Sequence, residues 1–300
     1  MQQITPGKRA FYKYTSPQTA LAILQSGKVR YSSPSTFNDP FDIQSGLHFD
    51  FDLEALHEKI IDRIGELAAA PDEPFLDSGD PWGKIVLEAR KHYPTHGFLR
   101  DRWLSITKEP FNYLLSIIKD CRQQYEKHWR SRLLPGIRVF CVSEDRDNLL
   151  MWAHYGRDHT GAVFEFWSLP SEDNPLSVAH PIQYEDAPLP FFSEREWIDD
   201  LTGSKKLDED ALYKRYAYIK SSEWSYEREW RVWYPLSDDR QLYDDVAIRR
   251  SEFRSVYIGC RAKPEFVKSV TDLIQGTFAG TKVFRASKKL DEYALEYTEI

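Results

Sequence analysis

Tyr226-Glu227-Arg228-Glu229-Trp230-Arg231 lies inside an aromatic run made of Trp224, Tyr226, Trp230, Trp233 and Tyr234. Read as a strand, its side chains alternate between two faces. Ser225, Glu227, Glu229, Arg231 and Trp233 then share one face. Trp224, Tyr226, Arg228, Trp230, Val232 and Tyr234 share the other, which is mostly apolar. One face packs on a core while the other carries two acids and a base, as a site on a sheet surface requires. Read as a helix, Glu227 and Arg231 are an ordinary i,i+4 pair worth about 0.2–0.5 kcal/mol.

Outward from this stretch, strand and helix signals alternate. Phe11 to Tyr14 reads as a short strand. Thr15-Ser16-Pro17 caps a helix from Pro17 to Gln25 that buries Ala20, Leu21, Ile23 and Leu24 and ends at Gly27. Val29 to Ser32 is extended, and Ser33 to Asp42 is a loop of turn formers in which Pro40 keeps Asp39 out of the helical region.

Residues 50–134 have helical periodicity: Leu53, Leu56, Ile60, Ile64 and Leu67, then Leu114, Leu115, Ile118, Cys121, Tyr125 and Trp129. Between them, 70–74 and 77–81 read as loops. Strands dominate from Pro135-Gly136 onward: Ile137–Ser143, Gly161–Trp167, Pro181–Tyr184, the opening stretch, Ser255–Gly259, Val283–Ala286 and Ala294–Tyr297. Helices are expected at Asn148–Gly156, Leu207–Lys220 and Phe266–Gln275. With few βαβ repeats, the order predicts an α+β fold. The chain is expected to be a single domain, 1–300, carrying 50–134 as a helical insertion.

Composition narrows the function classes. The chain is 41% hydrophobic, with nine Trp, 17 Tyr and 17 Phe. That aromatic excess suits a cleft for a flat ligand or an interface. No 18-residue apolar run exists, so no membrane partner is expected. The N-terminus lacks a signal-peptide core. Cys121, Cys141 and Cys260 are far apart and form no metal-ligand spacing, which fits a reduced cytoplasm. The eight His show no ligand pair, and no metal site is assigned. A net charge of −7 disfavours general attraction to nucleic acid. It leaves a local basic contact at 122–138, where Arg122, Lys127, Arg130, Arg132 and Arg138 meet one acid, Glu126.

Four segments carry more than their local structure requires. They are Tyr12-Lys13-Tyr14-Thr15, Phe37-Asn38-Asp39-Pro40-Phe41, Cys141-Val142-Ser143 with Asn148 to Gly156 (which contains Met151-Trp152-Ala153-His154-Tyr155) and then His159-Thr160-Gly161, and Trp224 to Arg231. In this order they resemble the bacterial domain-of-unknown-function family 2971. More distantly, the order is similar to the ADP-ribosyltransferase fold.

That resemblance implies two small mixed or antiparallel sheets forming a cleft that binds NAD. By matching positions, Lys13 or Tyr14 would hold the ribose from the first strand. Ser143 and Tyr155 would line the nicotinamide slot, and Glu227 or Glu229 would be the catalytic acid beside Arg231. Thr15, Asn38, Asp39 and Trp152 complete the cofactor-binding set. The implied activity is ADP-ribosyl transfer to a protein or nucleic-acid acceptor, as in a toxin or phage-defence effector. Lys13 stands where such enzymes have His or Arg, and no Ser-Thr-Ser triplet is present.

Two other classes compete. A metal-dependent nuclease or hydrolase would use Asp39, Glu227 and Glu229 as oxygen ligands, and requires them to converge. A non-catalytic sensing or interaction module would have both acids saturated by basic partners. Elsewhere the bland interpretations are strong: Met151 and Trp152 suit a core, and Asn38-Asp39-Pro40 suits a structural turn.

Overall fold

Turn chemistry sets the first elements. Ser16 accepts from the Thr19 amide at 3.2 Å and starts a helix over Pro17–Ser26, and Gly27 ends it in the left-handed region at φ 66°. The structure, a computed structural model, describes residues 9–44, 46, 48, 49, 51–72, 81–169, 174–234 and 241–300, the side chains of 121, 122, 209 and 210 excepted. The expected loops over 73–74 and 77–80, the charged N-terminal segment up to residue 8, and the Cys121 and Arg122 side chains lie outside it.

The chain forms two compact units. The first takes residues 1–44, 132–187 and 218–300, and the second takes 45–131 and 188–217. A single domain with a helical insertion at 50–134 was expected. The helical part instead recruits a second stretch, 188–217, because Ile198 and Trp197 pack against its core.

In the first unit the strands are β1 (Arg9–Thr15), β2 (Lys28–Ser32), β3 (Arg138–Ser143), β4 (Ala162–Ser168), β5 (His180–Pro181) and β6 (Gln183–Glu185). They continue as β7 (Ile219–Ser221), β8 (Glu229–Tyr234), β9 (Tyr243–Ala247), β10 (Phe253–Ile258), β11 (Lys282–Lys288) and β12 (Leu295–Glu299). The fold is α+β with open sheets. Ten strands connect in the order β12-β11-β10-β4-β1-β3-β2-β9, with β8 and β5 branching from β3, while β6 and β7 pair separately.

Two small sheets were expected, and the strands link into one network because β3 touches three neighbours. Those links are uneven. β1 pairs with β4 along its whole length, from Arg9 opposite Ser168 to Thr15 opposite Ala162. β3 pairs with β8 along its whole length. Between β1 and β3 the register holds one pair, Tyr12 with Ser143, and between β2 and β3 one pair, Ser32 with Val139. The edge of β3 from Phe140 to Val142 is therefore free of strand pairing on that side, and the sheet is parted there.

The larger core lies on one side of these strands, and a second cluster with Tyr14, Met151, Trp152, Val163 and Tyr257 covers the other. Ala20, Ile23 and Leu24 of the first helix and Phe266, Val270 and Ile274 of the helix Pro264–Thr277 pack on Phe11, Phe164, Phe166, Val256 and Ile258. Burying side chains of this size contributes about 1.5–3 kcal/mol each.

The second unit is helical, with Leu56–Ala69, Pro81–His96, Arg100–His128, Glu194–Leu201 and Glu209–Ala217. Its core holds Leu56, Ile60, Ile64, Leu67 and Ile118 of the stripe read from periodicity, together with Phe111, which that reading left out. The helix Glu194–Leu201 has a capping box, Ser193 with Glu196. Among the described residues, no helix is long and apolar enough to cross a membrane.

Candidate functional site

The opening hexapeptide departs from a plain strand. Ser222–Glu227 is a 3-10 turn, Arg228 sits in the left-handed region at φ 46°, and the strand starts only at Glu229. Simple alternation was expected to put Glu227 and Glu229 on one face. They do converge, through the reversal at Arg228. The reversal is pinned from outside: Ser143 Oγ donates to Glu227 O at 2.7 Å, Glu144 N donates to Arg228 O at 3.2 Å, and Asn148 Nδ2 donates to Tyr226 O at 2.8 Å. Asn148 also caps the helix Leu149–His154, accepting from the Leu150 and Met151 amides. One asparagine thus fixes the Met-Trp segment against the acid turn.

Lys220, on β7, is the residue that sequence reasoning missed. Its Nζ donates to Glu227 Oε2 at 2.6 Å and Glu229 Oε2 at 3.0 Å, and lies 3.6 Å from Asp42 Oδ2. Arg231 donates from Nε to Glu229 Oε1 at 2.7 Å and from Nη2 to Glu229 Oε2 at 3.2 Å and to Asp42 Oδ2 at 2.5 Å. Tyr155 completes the set by donating its hydroxyl to Glu227 Oε1 at 2.6 Å. The five charged side chains are each 5% exposed or less.

Environment separates the two glutamates. Burial opposes ionisation of Glu229, but Arg231 and Lys220 outweigh it and hold this carboxyl well below the usual range. Burial dominates at Glu227 and raises it, against Lys220 and the two hydrogen bonds. Burial, offset in part by Arg231 and Lys220, also raises Asp42. The Tyr155 phenol is pushed up by burial and by Glu227, so it stays a neutral donor. Burial pushes Tyr184 up to about 12, and its hydroxyl accepts from the Glu229 amide at 2.8 Å. These are two acids driven in opposite directions by their surroundings, the pattern of an acid/base pair with divided roles.

A cavity of about 400 Å³ opens where the sheet parts, within the size of small-ligand pockets. Its walls include Tyr12, Lys13 and Tyr14 from β1, Ser143 from β3, Tyr155, and the acids Glu227 and Glu229. Phe37, Asn38 and Asp42 enter from the loop after β2. Lys13 spans the gap and donates to Cys141 O at 2.8 Å, satisfying one edge carbonyl that no strand pairs. Tyr14 donates to Asp145 O at 2.9 Å and meets Trp152 edge-on at 5.6 Å.

Of the residues singled out from sequence, the structure brings Lys13, Tyr14, Asn38, Ser143, Tyr155, Glu227 and Glu229 to this one cavity. It sets four others apart. Trp152 is fully buried, with its indole donating to Arg146 O at 3.1 Å, because its helix turns it into the core. Thr15 is buried and donates to Ala162 O at 2.9 Å. Asp39 closes a turn on the Phe41 amide at 2.8 Å, and its neighbour Asp42 is the loop acid that reaches Glu229 and Lys220. Arg231 stands behind the acids, fully buried.

The basic stretch at 122–138 is also divided. Lys127 and Arg132 are exposed and Arg130 pairs with Glu126 at 2.6 Å. Arg138 is buried and donates to the carbonyls of Pro135, Ile137 and Gln241, so it cannot meet a partner's backbone. Cys141 and Cys260 are free thiols.

Residues 151–232 match the family model described as protein of unknown function (DUF2971). The matched stretch contains Met151, Tyr155, Lys220, Glu227 and Glu229 of the cavity wall, and Trp152 and Arg231 behind it. No curated protein and no solved structure matches the chain.

Proposed function

We propose that the cavity binds NAD and that the protein transfers ADP-ribose to a macromolecular acceptor, with Glu227 as the reacting acid. The observation that carries this is the parted sheet. It sets Lys13 and Tyr14 of β1 across one 400 Å³ space from Tyr155 and Glu227, next to the single pair Tyr12–Ser143.

Each wall suits one part of the substrate. Tyr14, Phe37 and Tyr155 offer flat apolar surface to an aromatic ring. Lys13 and the exposed Arg30, which pairs with Asp245 at 2.9 Å, offer charge to a diphosphate. In the reaction the bond from the ribose carbon to the nicotinamide nitrogen breaks, and its electron pair leaves with nicotinamide. The carboxylate of Glu227 stabilises the positive charge that develops on the ribose. The acceptor attacks that carbon and Glu227 takes its proton. Glu229, clamped by Arg231 and Lys220, serves as a fixed ion that orients Lys220 toward Glu227.

The saturation of Glu229 also supports a second interpretation, a module that binds a ligand without turning it over. Both are tested by titrating the full chain with NAD while measuring nicotinamide release. Binding with release lost in Glu227→Gln supports the enzyme. Binding without release in the wild type supports the sensing module, and neither survives an absence of binding. The geometry gives less to a metal-dependent hydrolase on Asp39, Glu227 and Glu229. Asp39 lies off the cavity wall, and the point where Asp42, Glu227 and Glu229 meet is taken by the Lys220 ammonium.

A further inference from the structure

Three carboxylates share two cations at the floor of the cavity. Asp42, Glu227 and Glu229 supply the acids, and Lys220 and Arg231 the bases. The other cations of the wall are turned elsewhere, Lys13 to Cys141 O and Arg30 to Asp245. A net negative charge this deeply buried is costly unless a proton or a further cation balances it.

Hydrogen bonding shows where a proton fits. Both oxygens of Glu229 accept from Arg231, and Oε2 also from Lys220. Glu227 accepts from Tyr155 at Oε1 and Lys220 at Oε2. Asp42 Oδ2 accepts from Arg231. Among the described residues, Asp42 Oδ1 is buried with no partner, so of the six oxygens it alone lacks a donor. An ionised carboxylate leaves that oxygen's charge unmet, whereas a hydroxyl there asks far less of its surroundings.

We infer that Asp42 is held as a neutral carboxylic acid with its proton on Oδ1, and that this leaves Lys220 and Arg231 to Glu227 and Glu229. Asp42 is then a positioning residue, since it acts through the two cations. The groups facing it are Arg231 and Glu229 of β8 and Lys220 of β7. Those facing the pair it serves add Tyr155, Tyr184 of β6, Cys141 of β3 beside β8, and Lys13 across the parted sheet. Burial acts on Asp42 in the same direction. When Asp42 ionises, it competes with the glutamates for both cations, and the charge balance at Glu227 is lost.

The proton is measurable without any ligand, while its effect on turnover rests on the proposed NAD reaction. The full chain labelled with ¹³C at aspartate carboxyls is followed by NMR across neutral pH. One acid-form aspartate resonance is expected, surviving in Asp39→Asn and lost in Asp42→Asn. Absence of any acid-form aspartate signal in the wild type overturns the inference, even where Asp42→Asn does not fold. So does a signal that disappears with Asp39→Asn instead. In nicotinamide release, the wild type is expected to lose rate on the alkaline side and Asp42→Asn to lose that limb. An unchanged limb also overturns it. A wild type that shows the resonance but releases no nicotinamide refutes the NAD reading and leaves the Asp42 assignment standing.

Discussion

At the residue scale, the two acids of the Glu-x-Glu segment have different work. Glu227 reaches the cavity with one oxygen on a neutral phenol and one on Lys220, and burial raises it. Glu229 is clamped by a guanidinium. Glu227→Gln is therefore expected to remove nicotinamide release and to lower the melting temperature, by less than Glu229→Gln does, because Glu229 still holds Lys220 and burial already opposes the charge of Glu227. Glu229→Gln leaves Arg231 and Lys220 short of a buried anion, and breaking such a pair costs about 3–5 kcal/mol. Denaturant titration of the two variants is expected to separate them.

The pH dependence follows from the same contrast. Glu229 lies below its ordinary value of 4.5 when folded. Its stabilisation is fully present above that value and is lost as pH falls through the folded one. Acid unfolding of the wild type is thus expected to shift to higher pH in Glu229→Gln. Glu227 lies above its ordinary value, so the low-pH limb of turnover should fall above the usual carboxylate range.

At the element scale, much of the framework was legible. Ser16, Pro17 and Gly27 mark the first helix, and Asn148 marks the helix before Tyr155, because caps are local chemistry. The aromatic-acid run read as a continuous strand, and the structure interrupts it. The left-handed Arg228 is set by hydrogen bonds from Ser143, Glu144 and Asn148, which are more than 70 residues away. No local pattern announces them. A β-branched residue at such a φ costs about 1–3 kcal/mol. Arg228→Val is expected to destabilise by that order and to misplace Glu227, with nicotinamide release falling alongside. Arg228→Gly relieves the φ and loses only an exposed pair with Glu144, so it should fold nearly as well as wild type. Gly161 shows a similar long-range demand: a Cβ there would stand 2.0 Å from Thr15 O, and Gly161→Ala is expected to shift the end of β1, where Thr15 pairs with Ala162.

At the scale of the whole molecule, the α+β class and the helical stretch were readable from periodicity, since a buried stripe repeats every three to four residues. The recruitment of 188–217 to the helical unit and the pairing of β3 with three neighbours were not, because they depend on contacts distant in sequence. Lys220 was missed for the same reason: in sequence it reads as the last residue of a helix over Leu207–Lys220, whereas the helix ends at Ala217 and Lys220 lies in β7, where it matters only because three acids meet on it. Asp42 was passed over for Asp39, whose turn chemistry is the stronger local signal.

All residues of the cavity belong to the first unit. Ile60→Ala, in the core of the second, is expected to cost about 2–5 kcal/mol there. NAD affinity measured in the folded variant should be retained.

The most direct test is calorimetric titration of NAD into the full chain, with Lys13→Ala and Glu227→Gln alongside. A saturable heat in the wild type that weakens in Lys13→Ala and persists in Glu227→Gln, where nicotinamide release is lost, is the predicted result. No binding heat at millimolar NAD would contradict it.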